Sequence, residues 1–175
     1  RLLVEMGHTV TGSDLHDSEA IDELRQRGAE ISIGHQESVV HGVDVVTYST
    51  AIPSTNVELE EARRCGIPTR HRSGILASLC AATNAIGIAG THGKTTTTAL
   101  VTSMTTAGGL HPSSIIGADV LGVTGNEYGD GSLLIIESDE SDGTLDVLPL
   151  SSLVVTNIDI DHLDYFGSFE AIKEC

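Results

Sequence analysis

Lysine is almost missing from this sequence. Lys94 and Lys173 are its two lysines, and the basic total of 9 stands against 25 acidic residues, a formal net charge of −16. A nucleic-acid backbone needs a basic surface, so this balance excludes nucleic acid as a partner. Long apolar runs are missing too. None approaches the roughly 18 residues of a membrane helix, and no membrane partner is expected. Cysteine is sparse: Cys65, Cys80 and Cys175 are odd in number and form no CxxC pair. A zinc site needs three or four ligands at tight spacing, so the three read as reduced, mostly buried thiols of a cytoplasmic protein. Neither an initiator methionine nor a signal-peptide pattern is present. Leu2 to Gly7 reads as the end of an amphipathic helix and Phe169 to Cys175 as the start of another. A fragment lacking both ends is therefore expected.

What remains is a globular composition, 39% hydrophobic with 19 glycines, long enough for one domain or two small ones. Short β-branched runs alternate with helical stretches. Strands are expected at His8–Gly12, Ala29–Ile33, Val43–Tyr48 and Ile67–Arg70, the third of them deeply buried because it is uniformly apolar. Helices are expected from Ser18 to Arg27, from a Thr55/Glu58 capping box to Cys65, and from Ser73 to Ala81. A second series begins after Asn84, with strands at Ala85–Ala89, Ser114–Ile116, Leu133–Glu137 and Ser152–Thr156 and a helix from Lys94 to Ala107. The alternation predicts an α/β fold with parallel sheets and helices on both faces. It divides into two domains, residues 1–82 and 83–175.

The chemistry concentrates where Ala85–Ala89 runs into Gly90-Thr91-His92-Gly93-Lys94-Thr95-Thr96. A buried strand, a glycine-rich turn and a helix start make a phosphate-binding loop, because consecutive N–H groups and the helix N-terminus point at the anion. Gly90 and Gly93 let the backbone curl close to phosphates. Lys94 neutralises β/γ oxygens and the Thr95 hydroxyl binds Mg²⁺. The generic spacing wants a further glycine at position 88, where this chain has Ile88; the loop fits a shorter G-T-x-G-K-T form.

Such a loop also needs an acid at the end of a nearby strand to hold the metal. Leu133–Ile136 ends in Glu137-Ser138-Asp139-Glu140-Ser141-Asp142, which puts Glu137 in the metal position; a solvated acidic turn would look the same. Leu153–Thr156 ends in Asn157-Ile158-Asp159-Ile160-Asp161-His162, again at the strand terminus where open α/β sheets bind ligands. His162 reads as a ligand of a second cation, a phosphate contact, or a structural histidine.

Taken together, the segments at 90–98, 137–142 and 156–164 resemble the Mur ligase family, and the loop histidine with the acidic turn favours its alanine-adding branch. Gly12-Ser13-Asp14, Ile33-Gly34-His35 and Tyr48-Ser49-Thr50-Ala51-Ile52 resemble the family's substrate-side segments, so the resemblance covers essentially the whole chain. It implies a Rossmann-like N-terminal domain that binds a UDP-sugar, followed by a truncated P-loop α/β central domain that binds ATP. The implied reaction is ATP-dependent joining of L-alanine to the carboxylate of UDP-N-acetylmuramate, through an acyl phosphate, in peptidoglycan precursor synthesis. The implied catalytic residues are Lys94 and His162. The nucleotide falls to residues 90–96 and Asn157, and metal to Thr95, Glu137 and His162. On the substrate side stand Asp14, His35 and Ser49, each equally readable as a turn or structural residue. Some relatives use a carbamylated lysine as a metal bridge, and no lysine lies between Lys94 and Lys173, which agrees with the alanine-adding type. Two alternatives stand beside this reading: a recycling ligase that attaches a preformed tripeptide to the same UDP-sugar, and a nucleotide-binding regulator that ligates nothing. A fragment of this extent is expected to be inactive alone.

Overall fold

The computed structural model describes residues 1–117, 125–138 and 144–159. The chain divides into two units, Arg1–Ile75 and Leu76–Cys175.

The first unit opens with a short helix, α1 (Leu2–Glu5), which a turn through Gly7 (φ +89°) ends. Two parallel two-stranded sheets follow. In one, β1 (Thr11–Asp14) pairs with β2 (Glu30–Ile33), Thr11 opposite Glu30. In the other, β3 (Val46–Tyr48) pairs with β4 (Thr69–His71), Val46 opposite Thr69. Between β1 and β2 runs α2 (Glu19–Gln26), where the Ser18 hydroxyl accepts the Ile21 N–H at 3.3 Å as an N-cap. Gly28 takes the left-handed φ of +101° that closes the helix. A 3₁₀ turn at Glu37–Val40 precedes β3, and α3 (Val57–Arg64) links β3 to β4.

Three expectations for this unit need correction. The first strand begins at Thr11 rather than His8, because its parallel register with β2 carries it through Asp14. The cap of α3 is Asn56, whose side-chain oxygen accepts the Glu58 N–H at 2.9 Å. Thr55 forms no box with Glu58, since the Glu58 carboxylate accepts the Gln36 N–H at 3.0 Å instead. β3 is half-buried rather than deep, and Val45 just before it is 42% exposed. An apolar run tells of burial only when both sheet faces are covered.

The division between units falls within α4 (Arg72–Ala81). The second unit is built on one four-stranded parallel sheet in the order β6-β7-β5-β8. Its strands are β5 (Asn84–Ala89), β6 (Ser113–Ile115), β7 (Leu133–Glu137) and β8 (Ser152–Val155). Ile88, Leu134, Ile135 and Ile136 are at most 1% exposed and form the core of this sheet. The long helix α5 (Lys94–Ala107) packs on β5 and β7, as its buried Thr98, Ala99 and Thr102 require. β5 leads through α5 to β6 on one side, while β8 adds on the other. The order therefore reverses beside β5, and the crevice beyond its carboxyl end is a switch point of the kind that receives ligands in open α/β sheets. Of the thiols read as mostly buried, Cys80 is buried, Cys65 is exposed at the end of α3, and Cys175 lies outside the described residues.

Candidate active site at the carboxyl ends of the second sheet

Three strand ends meet in the second unit. From β5 the chain enters Gly90 at φ +124°, and Gly93 at φ +82° turns it into α5. The two glycines are needed for different reasons. A Cβ on Gly90 would stand 2.3 Å from Thr156 Oγ1 and 2.7 Å from the Asn157 carbonyl oxygen, so the loop presses directly on the exit of β8. At Gly93 a Cβ would meet nothing within 4 Å, and the left-handed φ alone requires glycine.

Gly93 is the N-cap of α5, and no side chain caps the helix there. The first-turn N–H groups of Lys94, Thr95 and Thr96 thus carry the donors and partial positive charge with which a helix start attracts an anion. Lys94 folds back over the loop, Nζ donating to the Gly90 carbonyl at 2.7 Å. It is the one Lys or Arg between Arg72 and Lys173, so the fixed positive charge of this segment sits at the helix start.

The end of β7 supplies the acid. Thr95 Oγ1 donates to Glu137 Oε1 at 2.8 Å, and the Gly117 N–H donates to Glu137 Oε2 at 2.7 Å. A threonine hydroxyl beside a carboxylate, both half-buried, is an all-oxygen donor pair suited to a hard divalent cation.

The end of β8 holds the loop from the other side. Asn157 accepts the His92 N–H through Oδ1 at 3.0 Å and donates from Nδ2 to the His92 carbonyl at 2.7 Å. Its own carbonyl accepts the Thr91 N–H at 3.2 Å. Thr156 Oγ1 stands 2.7 Å from the His92 carbonyl and 3.2 Å from that of Ala89. Thr91 Oγ1 accepts the Asp159 N–H at 2.9 Å. These bonds give the loop one shape through neutral groups.

Residues 90–96, Glu137 and Asn157 are thus brought together. His162 lies outside the described residues, as do Asp139, Glu140 and Asp142 of the acidic turn. In the first unit Asp14 ends β1, with Oδ1 accepting the His16 N–H at 3.0 Å in an exposed turn. His35 follows β2, its Nδ1 2.8 Å from Ser13 Oγ. Ser49 follows β3 and its carbonyl accepts the Ile52 N–H at 3.1 Å. All three stand at strand carboxyl ends. Sequence reasoning missed Thr156 and Gly117 as parts of the site. A hydroxyl at a strand end was a signal for the first; the second, a bare N–H 20 residues from its acceptor, left none.

The Mur ligase middle domain matches residues 88–175, and a domain described as Mur ligase family, catalytic domain, matches residues 1–84. A UDP-N-acetylmuramate–L-alanine ligase from Bradyrhizobium diazoefficiens is 44% identical over 174 residues, covering 99% of this chain and 37% of that protein. A protein of the same name from Rhizobium meliloti is 46% identical over 173 residues, 98% of this chain and 37% of its own length. This chain therefore spans little more than a third of these curated relatives. Among solved structures, a UDP-N-acetylmuramate–alanine ligase from Thermotoga maritima superposes with a TM-score of 0.87 at 26% identity, over 98% of this chain and 41% of that one. With the middle domain matching half of its residues, and a strand-end site of the expected shape within that half, the chain belongs to the Mur ligase family.

Proposed function

We propose that this chain is part of an ATP-dependent ligase that joins L-alanine to the carboxylate of UDP-N-acetylmuramate in peptidoglycan precursor synthesis. The carrying observation is the convergence of an uncapped helix start, Lys94 and the Thr95–Glu137 pair at one sheet end. The 44% identity to ligases of that name across nearly the whole chain supports the choice of substrates. The domain boundary is taken near residues 82–83, with the UDP-sugar assigned to the first domain, where Asp14, His35 and Ser49 are the substrate-side candidates. ATP is assigned to the second.

The reaction is uphill without activation, because a carboxylate is a poor electrophile. Its oxygen attacks the γ-phosphorus of ATP and ADP leaves. The amine then attacks the acyl carbon, phosphate departs and the nitrogen loses its proton. The protein's part in the first step is positioning and charge neutralisation. The first-turn N–H groups of α5 and the backbone from Gly90 to Thr96 hold the phosphates. Lys94 offsets the charge that develops as the terminal phosphoryl group moves. Asn157 keeps His92, and with it the loop, at a fixed distance from the end of β8.

Thr95 and Glu137 fit Mg²⁺ as oxygen donors already in contact, and His162 is assigned by its motif to a second cation beside the muramyl carboxylate. The ion supplies charge stabilisation to the phosphate oxygens when bound.

The test uses the full-length protein, with phosphate release followed in the presence of UDP-N-acetylmuramate and either free L-alanine or a tripeptide. Turnover with alanine and its loss by several hundred-fold in Lys94→Ala support the reading. Turnover only with tripeptide would transfer it to the recycling reaction. Hydrolysis that ignores both acceptors would make the protein a nucleotide-dependent regulator.

A further inference from the structure

One cluster of metal-ligating side chains lies in the first unit, apart from the groups considered above. Glu61 on α3 and Cys65, which caps the carboxyl end of that helix, stand at positions i and i+4, a spacing that sets side chains one above the other. His41, the residue after the 3₁₀ turn, reaches the same point. His41 Nε2 is 2.9 Å from Glu61 Oε1, and Cys65 Sγ donates to that oxygen at 3.3 Å. The ligand atoms of all three residues lie within 4.8 Å of one another. A tetrahedral zinc site with bonds of about 2.0–2.3 Å has ligand-to-ligand edges of roughly 3.3–3.8 Å. The two separations to Glu61 Oε1, 2.9 and 3.3 Å, lie at or just under that range, so the three side chains already stand close enough to share one ion.

We propose that His41, Glu61 and Cys65 form a three-ligand site for a thiophilic divalent cation of the Zn²⁺ class, with solvent as the fourth ligand. Imidazole, carboxylate and thiolate together select such an ion over Mg²⁺, which takes oxygen donors only. Charge also balances: a thiolate and a carboxylate neutralise the two charges of the ion. Access is open, since His41 and Cys65 are exposed while Glu61, 3% exposed, anchors the site from below.

Binding exchanges protons for metal. Cys65 gives its S–H proton to solvent as the sulfur–metal bond forms. His41 moves its ring hydrogen to Nδ1 and offers the Nε2 lone pair. The competitor is Arg64, whose Nε and Nη2 each hold a Glu61 oxygen at 2.6 Å. Its side chain is 73% exposed and can turn to solvent. The site ties α3 to the 3₁₀ turn that runs on from His35, and it does not depend on the ligase reading.

The experiment titrates the reduced full chain with Zn²⁺ against a chromogenic chelator, and with Co²⁺ as a spectroscopic reporter, without nucleotide. The expected result is one ion per chain, a sulfur-to-cobalt charge-transfer band, and no displacement by millimolar Mg²⁺. Cys65→Ser should abolish the band. His41→Gln should weaken binding by more than the roughly 10–100-fold that loss of an outer-shell partner costs. Cys175→Ser should leave both readouts unchanged. Absence of a charge-transfer band in the parent chain, or affinity that survives both Cys65→Ser and His41→Gln, would overturn the proposal. Both substitutions replace exposed side chains, and circular dichroism of each variant verifies that the comparison is between folded proteins.

Discussion

The two units hold their polar groups by different means. In the first, arginines lean on acids: Arg25 on Asp17 and Asp22 at 2.9 and 3.0 Å, Arg27 on Glu23 at 3.0 Å and on Glu5, Arg64 on both oxygens of Glu61. In the second, the phosphate loop is fixed by a threonine, an asparagine and backbone groups, with neutral donors and acceptors throughout its contacts with β8. Ion pairs respond to pH and salt, while amide and hydroxyl bonds respond to neither. Against β8 the proposed phosphate loop is thus braced by groups whose own charge does not change, while Lys94 and Glu137 hold it elsewhere.

The comparison predicts where each unit breaks. The largest effect belongs to Gly90→Ala, which forces a side chain into Thr156 and Asn157 at an unfavourable φ. A loss of roughly 2–5 kcal/mol in unfolding free energy is expected, with loss of nucleotide binding. Gly93→Ala meets open space and should lose only about 1–2 kcal/mol for its left-handed backbone. Denaturant titration of the two variants measures the gap; equal losses would mean that β8 does not confine the loop.

Next in size is Asn157→Ala. It removes the two side-chain bonds to His92, at about 0.5–1.5 kcal/mol each. Stability should fall by that sum at any pH from 5 to 9 and at any salt concentration. Dependence on either would contradict the neutral bracing.

The smallest effect separates the first unit. Hydrogen bonds from Arg64, then His41 and Cys65, hold the Glu61 carboxyl at about 2, against its ordinary 4.5. A depressed carboxyl contributes stability that is complete above pH 4.5 and disappears as pH falls through 2. Protection factors of the α3 amides, referred to the intrinsic exchange rate at each pH, should fall across that window. In Glu61→Gln that fall should be absent, with protection lower at neutral pH. Parallel curves for the two proteins would remove Glu61 from the account.

Much of the second unit was legible in the sequence because its signals are local. A β-branched strand ending in glycine, then Gly-Lys-Thr, fixes the exit of β5 and the start of α5 within a few residues. The place of Glu137, at the end of β7 and beside the loop, was legible by one further rule, that polar groups for a ligand gather at strand carboxyl ends. The bracing by Asn157 was not, since a residue's hydrogen-bond partner 65 positions away follows from sheet order, which the sequence leaves open. In the first unit the cap of α3 shifted from Thr55 to Asn56 because the Glu58 carboxylate is taken by Gln36, a competition invisible to a four-residue pattern. The His41, Glu61 and Cys65 cluster escaped for the same reason. Two of its three residues are an i, i+4 pair, and the third depends on where the 3₁₀ turn lands.

The contact between Gly90 and the exit of β8 also orders events in time. Gly90 belongs to the most local motif of the chain, yet its curvature depends on Thr156 and Asn157, which are synthesised more than sixty residues later. Closing so long a segment is slow relative to forming a strand or helix. The helix α5 can therefore form before the turn that precedes it has its working shape, whereas β5 pairs with β7 and β8, both later in the chain. The turn at Gly90 is expected to reach its working shape only once β8 has docked against it.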